Sequence, residues 1–155
     1  MSAVEETATE RVHDLLEAVA DALDLDARID VTDDGETVKG TVEGDDLGLL
    51  IGRHGQTIDA LEHVAWRVAM HGREERRRVT IDAAGYRALR AETLQRQADQ
   101  AADEAARYAR PVALDAMVPS ERRLVHEYLR DRHDVETYSE GDEPHRHLVV
   151  APLAE

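Results

Sequence analysis

Two glycines three residues apart, Gly52 and Gly55, constrain this chain more than any other feature, because they separate two runs of apolar residues. Before them stands the short apolar segment 47–51. After them the apolar positions recur at helical spacing, at Ile58, Leu61, Val64, Ala65, Val68 and Ala69. Glycine permits sharp turns and lets a phosphodiester approach the main chain without meeting a Cβ. The segment therefore predicts a tight turn into a helix, with backbone open to an anionic ligand.

The two residues between the glycines, Arg53 and His54, supply a permanent cation and a hydrogen-bond donor. The following helix would add unpaired backbone N–H groups and a partial positive charge at its N-terminus. Taken alone, a G-x-x-G loop is a weak signal and is more typical of a simple turn between packed helices. The loop by itself therefore leaves both interpretations open.

The rest of the chain alternates between helical and strand periodicity, which predicts an α+β fold. The predicted elements, in chain order, are an amphipathic helix ending near 24–26, a hairpin (28–31 and 37–42), the turn into a helix ending near 71, a strand (76–82), a helix (86–110), a strand (112–117), a helix from 119 and two strands (135–138 and 147–150). Five aromatic residues and no Phe imply an aliphatic, alanine-rich core.

The charge is strongly negative overall, with 34 acids against 19 bases and a formal net charge of -15. It is unevenly spread: residues 1–46 carry -12, residues 47–90 carry +3 and residues 91–155 carry -6. The total excludes a tight, sequence-blind coat for nucleic acid, because its field repels polyanions. The basic middle stretch, centred on the glycine loop, permits a local site.

Several classes are disfavoured by what the sequence lacks. Without cysteine there are no disulfides, thiolate zinc sites or cysteine nucleophiles. No signal peptide or bilayer-spanning apolar run is found, so a cytoplasmic protein without membrane insertion is expected. Although eight histidines invite a metal enzyme, and the spacing of His145 and His147 could place both rings on one face of a strand, no H-E-x-x-H motif is present. No enzymatic activity, cofactor or metal is expected.

A second basic motif lies at the start of the last predicted helix, at Arg122 and His126. At about 100° per residue, Arg122, His126 and Arg130 fall on one stripe. The first two border the apolar face, which predicts fixed side chains with accessible polar heads. Arg123 and Glu127, four residues apart, are typical of an ordinary surface pair. A solvated helix face is the alternative interpretation of the stripe.

The segment Leu50-Ile51-Gly52-Arg53-His54-Gly55-Gln56-Thr57-Ile58 resembles the KH signature, aliphatic-Ile-Gly-x-x-Gly-x-x-Ile. A helix and a strand before that core are similar to the type II, prokaryotic KH arrangement, with helices on a three-stranded sheet. The resemblance implies a loop that clamps about four nucleotides. It makes these residues the expected contacts: Ile51, Gly52, Arg53, His54, Gly55 and Gln56. Ile51, Ile58 and Leu61 are expected in the groove floor or the core, and Trp66 in packing.

The spacing Arg122-x-x-x-His126, with its flanking residues, resembles the R-three-H domain, a small α+β domain implicated in binding single-stranded nucleic acid. The resemblance adds Ser139 and Arg146 to Arg122, His126 and Arg130 as expected contacts. We therefore predict a type II-like KH domain over residues 1–84 and an R-three-H domain over residues 85–155. This order is similar to that of the bacterial Jag, or KhpB, family, although the extra N-terminal Jag domain is expected to be missing.

The leading hypothesis is a noncatalytic RNA chaperone or post-transcriptional regulator with two modest sites. The expected partners are single-stranded RNA, single-stranded DNA and, by resemblance, a small KH-only protein. The alternative is a protein-interaction adapter with vestigial nucleic-acid motifs. That alternative would be favoured if internal ion pairs consumed the basic residues.

Overall fold

A computed structural model describes residues 5–154, so residues 1–4 and 155, the outermost parts of the two predicted domains, lie outside it. The chain divides into two compact units, the first ending at Arg87 and the second beginning at Ala88. The domain boundary predicted between residues 84 and 85 stays a prediction, because it concerns whether each domain folds independently.

The first unit is a three-stranded sheet covered by helices. Its elements are α1 (Ala8–Ala22), β1 (Ala27–Asp33), β2 (Thr37–Gly44), α2 (Gly48–Ile51), a single 3-10 turn (Arg53–Gly55), α3 (Gln56–Met70) and β3 (Arg78–Ala83). The sheet order is β1-β2-β3, with β1 antiparallel and β3 parallel to β2. This confirms the predicted type II arrangement, in which the glycine loop joins two helices on the way from the central strand to an edge strand.

Local sequence explains how these elements begin and what they bury. At the start of α1, Thr7 Oγ1 accepts from the Glu10 N–H while Glu10 Oε2 accepts from the Thr7 N–H, which is a capping box. The helix then turns its apolar stripe, including Val12 and Leu16, toward the sheet. Ile58 and Ile81 join the same core and are fully buried.

The second unit contains most of α4 (Tyr86–Tyr108), followed by β4 (Val112–Ala113), α5 (Pro119–Leu129), β5 (Val135–Glu140) and β6 (His147–Pro152). Its sheet has the order β4-β6-β5, and both pairings are antiparallel. The core is the expected aliphatic and alanine-rich kind, with Ala98, Ala102 and Ala105 of α4 packed among buried Leu and Val side chains. Alanines let a helix approach its neighbours closely.

Two predicted strands differ from those observed. The strand expected over 112–117 is regular only at Val112 and Ala113, although the Leu114 N–H still donates to Leu148 O at 2.9 Å. The strand expected over 76–82 begins at Arg78, so two of its three arginines precede it. Between residues 5 and 154, no helix is long and apolar enough to cross a membrane.

Candidate nucleic-acid interface

The glycine loop of the first unit is built from residues in the left-handed region of backbone space. Gly52 has a φ of 74° and Gly55 a φ of 77°, while His54 adopts 54° between them. The Gly55 N–H donates to Gly52 O at 3.2 Å, which closes the turn. Left-handed φ values are costly for residues with a Cβ, so the glycines remove that cost at two of the three positions.

Close packing adds a second reason for both glycines. A Cβ on Gly52 would lie 2.2 Å from Thr57 Oγ1, and a Cβ on Gly55 would lie 2.7 Å from Cε1 of Tyr86. Neither distance is tolerable without a shift of the neighbour. The loop is therefore a tight, pre-formed turn, and Gly55 is buried within it.

The variable positions of the loop are available to a ligand. Arg53 and His54 are exposed, and neither side chain has a hydrogen bond or ion pair with any residue in the described part of the chain. Their backbone N–H groups likewise have no partner there. Gln56, the first residue of α3, is exposed, whereas Ile51 is half-buried against the core. Free N–H groups beside two free donors can bind an anion.

A cleft of about 420 Å³ lies between α3 and β3. It is lined by Asp59, Glu62, His63, Trp66, Arg76, Arg77, Arg78, Val79 and Thr80. Asp59 belongs to the first turn of α3, so this cleft begins next to the glycine loop, although the loop residues do not line it. Trp66, expected only in packing, is half-buried and forms part of the wall.

The outer edge of β3 is mostly closed by side chains. Trp66 Nε1 donates to Arg77 O at 3.0 Å, and Glu62 Oε2 accepts from the Ile81 N–H at 2.8 Å. Arg87 Nε donates to Ile81 O at 2.8 Å. Because residues alternate along a strand, Val79 also directs its backbone N–H and C=O outward. Val79 lies between Arg77 and Ile81, whose backbone groups bind side chains. Its own N–H and C=O therefore face the cleft as a donor and an acceptor.

The cations of this first cleft are unequally available. Arg77 Nη1 lies 2.5 Å from Asp33 Oδ1, and this hydrogen bond, ahead of that from the Gly35 N–H, lowers the pKa of the Asp33 carboxyl from its ordinary value. Arg76 Nη1 donates to Arg73 O and Glu75 O. Arg78 is exposed and has no partner among residues 5–154. Side chains alternate between faces only within a strand, and Arg76 and Arg77 precede β3. All three arginines can therefore line the same cleft.

The two carboxylates in this cleft are bound by one guanidinium. Arg87 Nη1 lies 2.8 Å from Asp59 Oδ1, and Arg87 Nη2 lies 2.8 Å from Glu62 Oε2. Because one guanidinium is shared by two carboxylates, the pairing offsets only part of the repulsion that Asp59 would exert on a phosphate at the start of α3.

The second unit has an open cleft of about 470 Å³, within the range typical of ligand sites. It is lined by Pro119, Arg122, Arg123, His126, Thr137, Tyr138, Ser139, Arg146 and Leu148. Among the residues that the structure describes, three arginines and a histidine line it, and no carboxylate does. In a chain with 34 acids, such a lining favours an anion, even though Glu143 binds Arg122 and Glu127 binds Arg123 from outside the cleft.

The expectation that Arg122 has an accessible head is wrong. The residue is only 9% exposed, and its Nη1 donates to Met117 O and its Nη2 to Glu143 Oε1, both at 2.6 Å. Glu143 belongs to the turn between β5 and β6, 21 residues away, so no helical wheel could reveal it. Arg122 ties the start of α5 to that turn.

His126 is exposed, as predicted, and its Nδ1 contacts Thr137 Oγ1 on β5. The contact fixes the ring and leaves Nε2 as the nitrogen free to meet a ligand. Ser139 is exposed in the same cleft, while Arg146 is half-buried, with Nη1 donating to Gly141 O at 2.6 Å. Arg130, one turn beyond His126, is exposed at the C-terminal end of α5 and does not line the cleft.

Sequence reasoning missed several residues of the second cleft. Thr137 and Tyr138 carry no signal in a single sequence, because a strand with alternating polar and aromatic residues is ordinary. Tyr138 is 45% exposed and offers a ring face on which a base could stack. Arg123 forms the predicted ordinary pair with Glu127, at 3.1 Å, but it also lines the cleft.

Comparison with known proteins matches each unit separately. The family model "KhpA/KhpB, KH domain" matches residues 9–81, and the model of the R-three-H domain matches residues 92–152. The chain is 34% identical to the RNA-binding protein KhpB of Clostridium symbiosum over 148 residues, which are 94% of this chain and 67% of that protein.

Two further relatives agree. The RNA-binding protein KhpB of Lactiplantibacillus plantarum is 39% identical over 149 residues, covering 96% of this chain and 46% of the relative. That of Bacillus subtilis is 33% identical over 138 residues, covering 88% and 66% respectively. The chain thus spans between about half and two thirds of the length of these curated relatives.

Proposed function

Because this chain belongs to the KhpB family, whose curated members are named RNA-binding proteins, we propose that it binds single-stranded RNA without catalysing a reaction. The observation that carries the proposal is the lining of the cleft in the second unit, which has arginines and a histidine but no carboxylate from residues 5–154, in a chain with a net charge of -15. In the cell this activity would be that of an RNA chaperone or post-transcriptional regulator in the cytoplasm.

In the first unit the glycine loop receives the phosphates. Arg53, His54 and their backbone N–H groups bind phosphate oxygens, while the glycines let the RNA backbone approach. The adjoining cleft then accepts a base, whose polar edge meets the backbone N–H and C=O of Val79. His63 and Arg78 flank that position and have no partner in the described chain.

In the second unit the cleft binds a nucleotide between a cationic side and an aromatic ring. His126 Nε2, Arg123 and Ser139 donate to phosphate or sugar oxygens, and Tyr138 stacks on the base. Arg122 and Arg146 position the site, because their guanidinium groups bind Glu143 and Gly141 O in the turn between β5 and β6. Two weak sites in one chain gain affinity through effective concentration.

The test is fluorescence anisotropy with short, mixed-sequence, single-stranded RNA across a salt series. If two to four phosphates are neutralised, log K falls against log salt with a slope of magnitude roughly 1.5 to 3. The paired substitution Arg53→Asp with His54→Asp should weaken binding. A matched control, Arg96→Asp with His133→Asp, makes the same charge change at exposed positions outside both clefts and should lower affinity less.

The outcomes separate the hypotheses. Equal losses in the loop variant and the control would mean that only net charge matters, and would remove the loop from the mechanism. DNA of the same sequence, added as competitor, tests whether single-stranded DNA binds equally well.

A protein-interaction adapter is the second candidate, because ion pairs do consume several arginines. Arg77 is bound to Asp33, Arg122 to Glu143 and Arg132 to Asp134. Absence of RNA binding at low salt would favour this candidate. A small KH-only protein is the partner that the family resemblance suggests, and co-purification of the two chains would test it.

A further inference from the structure

Strand β1 forms one edge of the first sheet, and no strand described in the structure pairs with its outer side. It is seven residues long, and an exposed edge of that length is a template for pairing with another chain. Its side chains alternate cleanly: Ala27, Ile29 and Val31 are half-buried on the helix side, while Arg28 and Asp30 are exposed on the open side.

The charges on this edge have no partners of their own. Most arginines in the chain bind a carboxylate, a carbonyl or a ring, but Arg28 has no hydrogen bond or ion pair between residues 5 and 154. It stands opposite Glu43 of β2 in the register, yet the two side chains form no ion pair. Asp30, opposite Thr41, is equally unpaired within the same described range.

The sequence of β1 is complementary to itself when two copies run antiparallel about a two-fold axis at Ile29. In that register Arg28 of each copy stands opposite Asp30 of the other, which gives two cross-strand ion pairs on the open face. On the helix face Ile29 meets Ile29, and Ala27 meets Val31. Moving the axis by one residue opposes two Asp30 carboxylates or two Arg28 guanidinium groups.

We propose that β1 pairs with β1 of a second copy of this chain, in the register centred on Ile29, to form a continuous six-stranded sheet across a homodimer. A C2 interface uses the same surface on both copies, as this strand requires. Because Arg28 and Asp30 carry opposite charges, β1 pairs more favourably with a second copy of β1 than with a strand that lacks this charge pattern. Because the contact is one strand wide, the dimer is weak and dissociates on dilution.

Charge reversal gives a test that does not depend on unfolding. Sedimentation velocity should show concentration-dependent dimers of the wild type, while Arg28→Asp and Asp30→Arg should each be monomeric. A mixture of these two variants should recover dimers, since one copy then carries two acids and the other two bases. The controls Arg67→Asp and Asp21→Arg, at exposed positions outside β1, should dimerise like the wild type.

Cysteine cross-linking fixes the register, because the chain has no native cysteine. Ile29→Cys should form a covalent dimer on mild oxidation, since the two Cβ atoms would lie about 5 Å apart. Thr32→Cys should not, because its two copies would lie about 20 Å apart along the strands. A monomeric wild type, a dimer that survives both charge reversals, or equal cross-linking of the two cysteine variants overturns the proposal. The edge would then be free for a strand of another protein.

Discussion

The glycine loop of the first unit and the Arg122–His126 motif of the second are both short basic motifs, but their cations have opposite situations. Arg53 in the loop is exposed and has no partner in the described chain. Arg122 is nine-tenths buried and binds Met117 O and Glu143. In the loop the glycines make the shape and the cation is free for a ligand. In the second motif the cation makes the shape, and His126 is the exposed member, with its Nε2 free among the described residues.

The difference shows that an arginine in a basic motif can either be available to a ligand or stabilise the fold. Which of the two it does depends on whether a carboxylate from a distant segment reaches it. For Arg122 that carboxylate is Glu143, in the turn between β5 and β6. Substitution of each cation should therefore change different measured quantities, and the experiments below separate them.

The largest expected effect is on stability, from Arg122→Ala. Loss of two charge-assisted hydrogen bonds should lower the free energy of unfolding of the second unit by about 2 to 3 kcal/mol. The midpoint of thermal unfolding should fall by roughly 10 °C. Arg123→Ala, in the exposed neighbour, is the control and should cost less than about 0.5 kcal/mol. Equal free energies of unfolding for the two variants would mean that the Arg122 side chain, like that of Arg53, makes no stabilising contact.

The next largest effect is on RNA affinity, from Arg53→Asp with His54→Asp. Repulsion of the phosphates should weaken binding about tenfold or more at low salt and reduce the salt slope. The free energy of unfolding should stay within about 0.5 kcal/mol of the wild type, because neither side chain has a partner to lose in the described chain. A large stability loss with unchanged affinity would reverse the assigned roles of the two motifs.

A smaller effect is expected from His126→Ala, which removes one donor from the second cleft. RNA affinity should fall about fivefold, in line with one hydrogen bond, while stability changes little. His133→Ala removes an exposed histidine outside the cleft and should leave affinity unchanged. If both variants bind RNA alike, the second cleft takes no part in binding.

The smallest effect should come from Arg130→Ala. The helical wheel groups Arg130 with His126, but it does not line the cleft. Anisotropy should show less than about a twofold change in affinity, which is under the contribution of one hydrogen bond. A loss as large as that of His126→Ala would extend the interface along α5 and would favour the sequence-based grouping over the cleft.

Much of the fold could be predicted because it follows from local pattern. The helical spacing around Val12, the turn signal at Gly35 and the proline that starts α5 each mark an element that the structure contains. The first residue of strand β3 could not be predicted, since Arg76 and Arg77 fit a strand pattern but precede the strand. Arg76 binds a local carbonyl there, and Arg77 binds Asp33.

The sites were predictable only in part. The positive φ angles at Gly52 and Gly55 follow from the motif, whereas the burial of Arg122 depends on a contact across 21 residues. Tyr138 and Val79 reach their clefts through strand pairing and sheet order, and a single sequence contains neither. Long-range contacts therefore decide which members of a motif are available to bind.

The most direct test of the whole account is a titration of ¹⁵N-labelled protein with short single-stranded RNA at low salt, followed by NMR. Shifts are expected at the backbone amides of Arg53, His54 and Val79, and at His126 and Tyr138, with the hydrogen-bonded Nη–H signals of Arg122 little changed. Strong shifts at the Arg122 side chain without shifts in the glycine loop, or shifts confined to α1, would contradict this expectation.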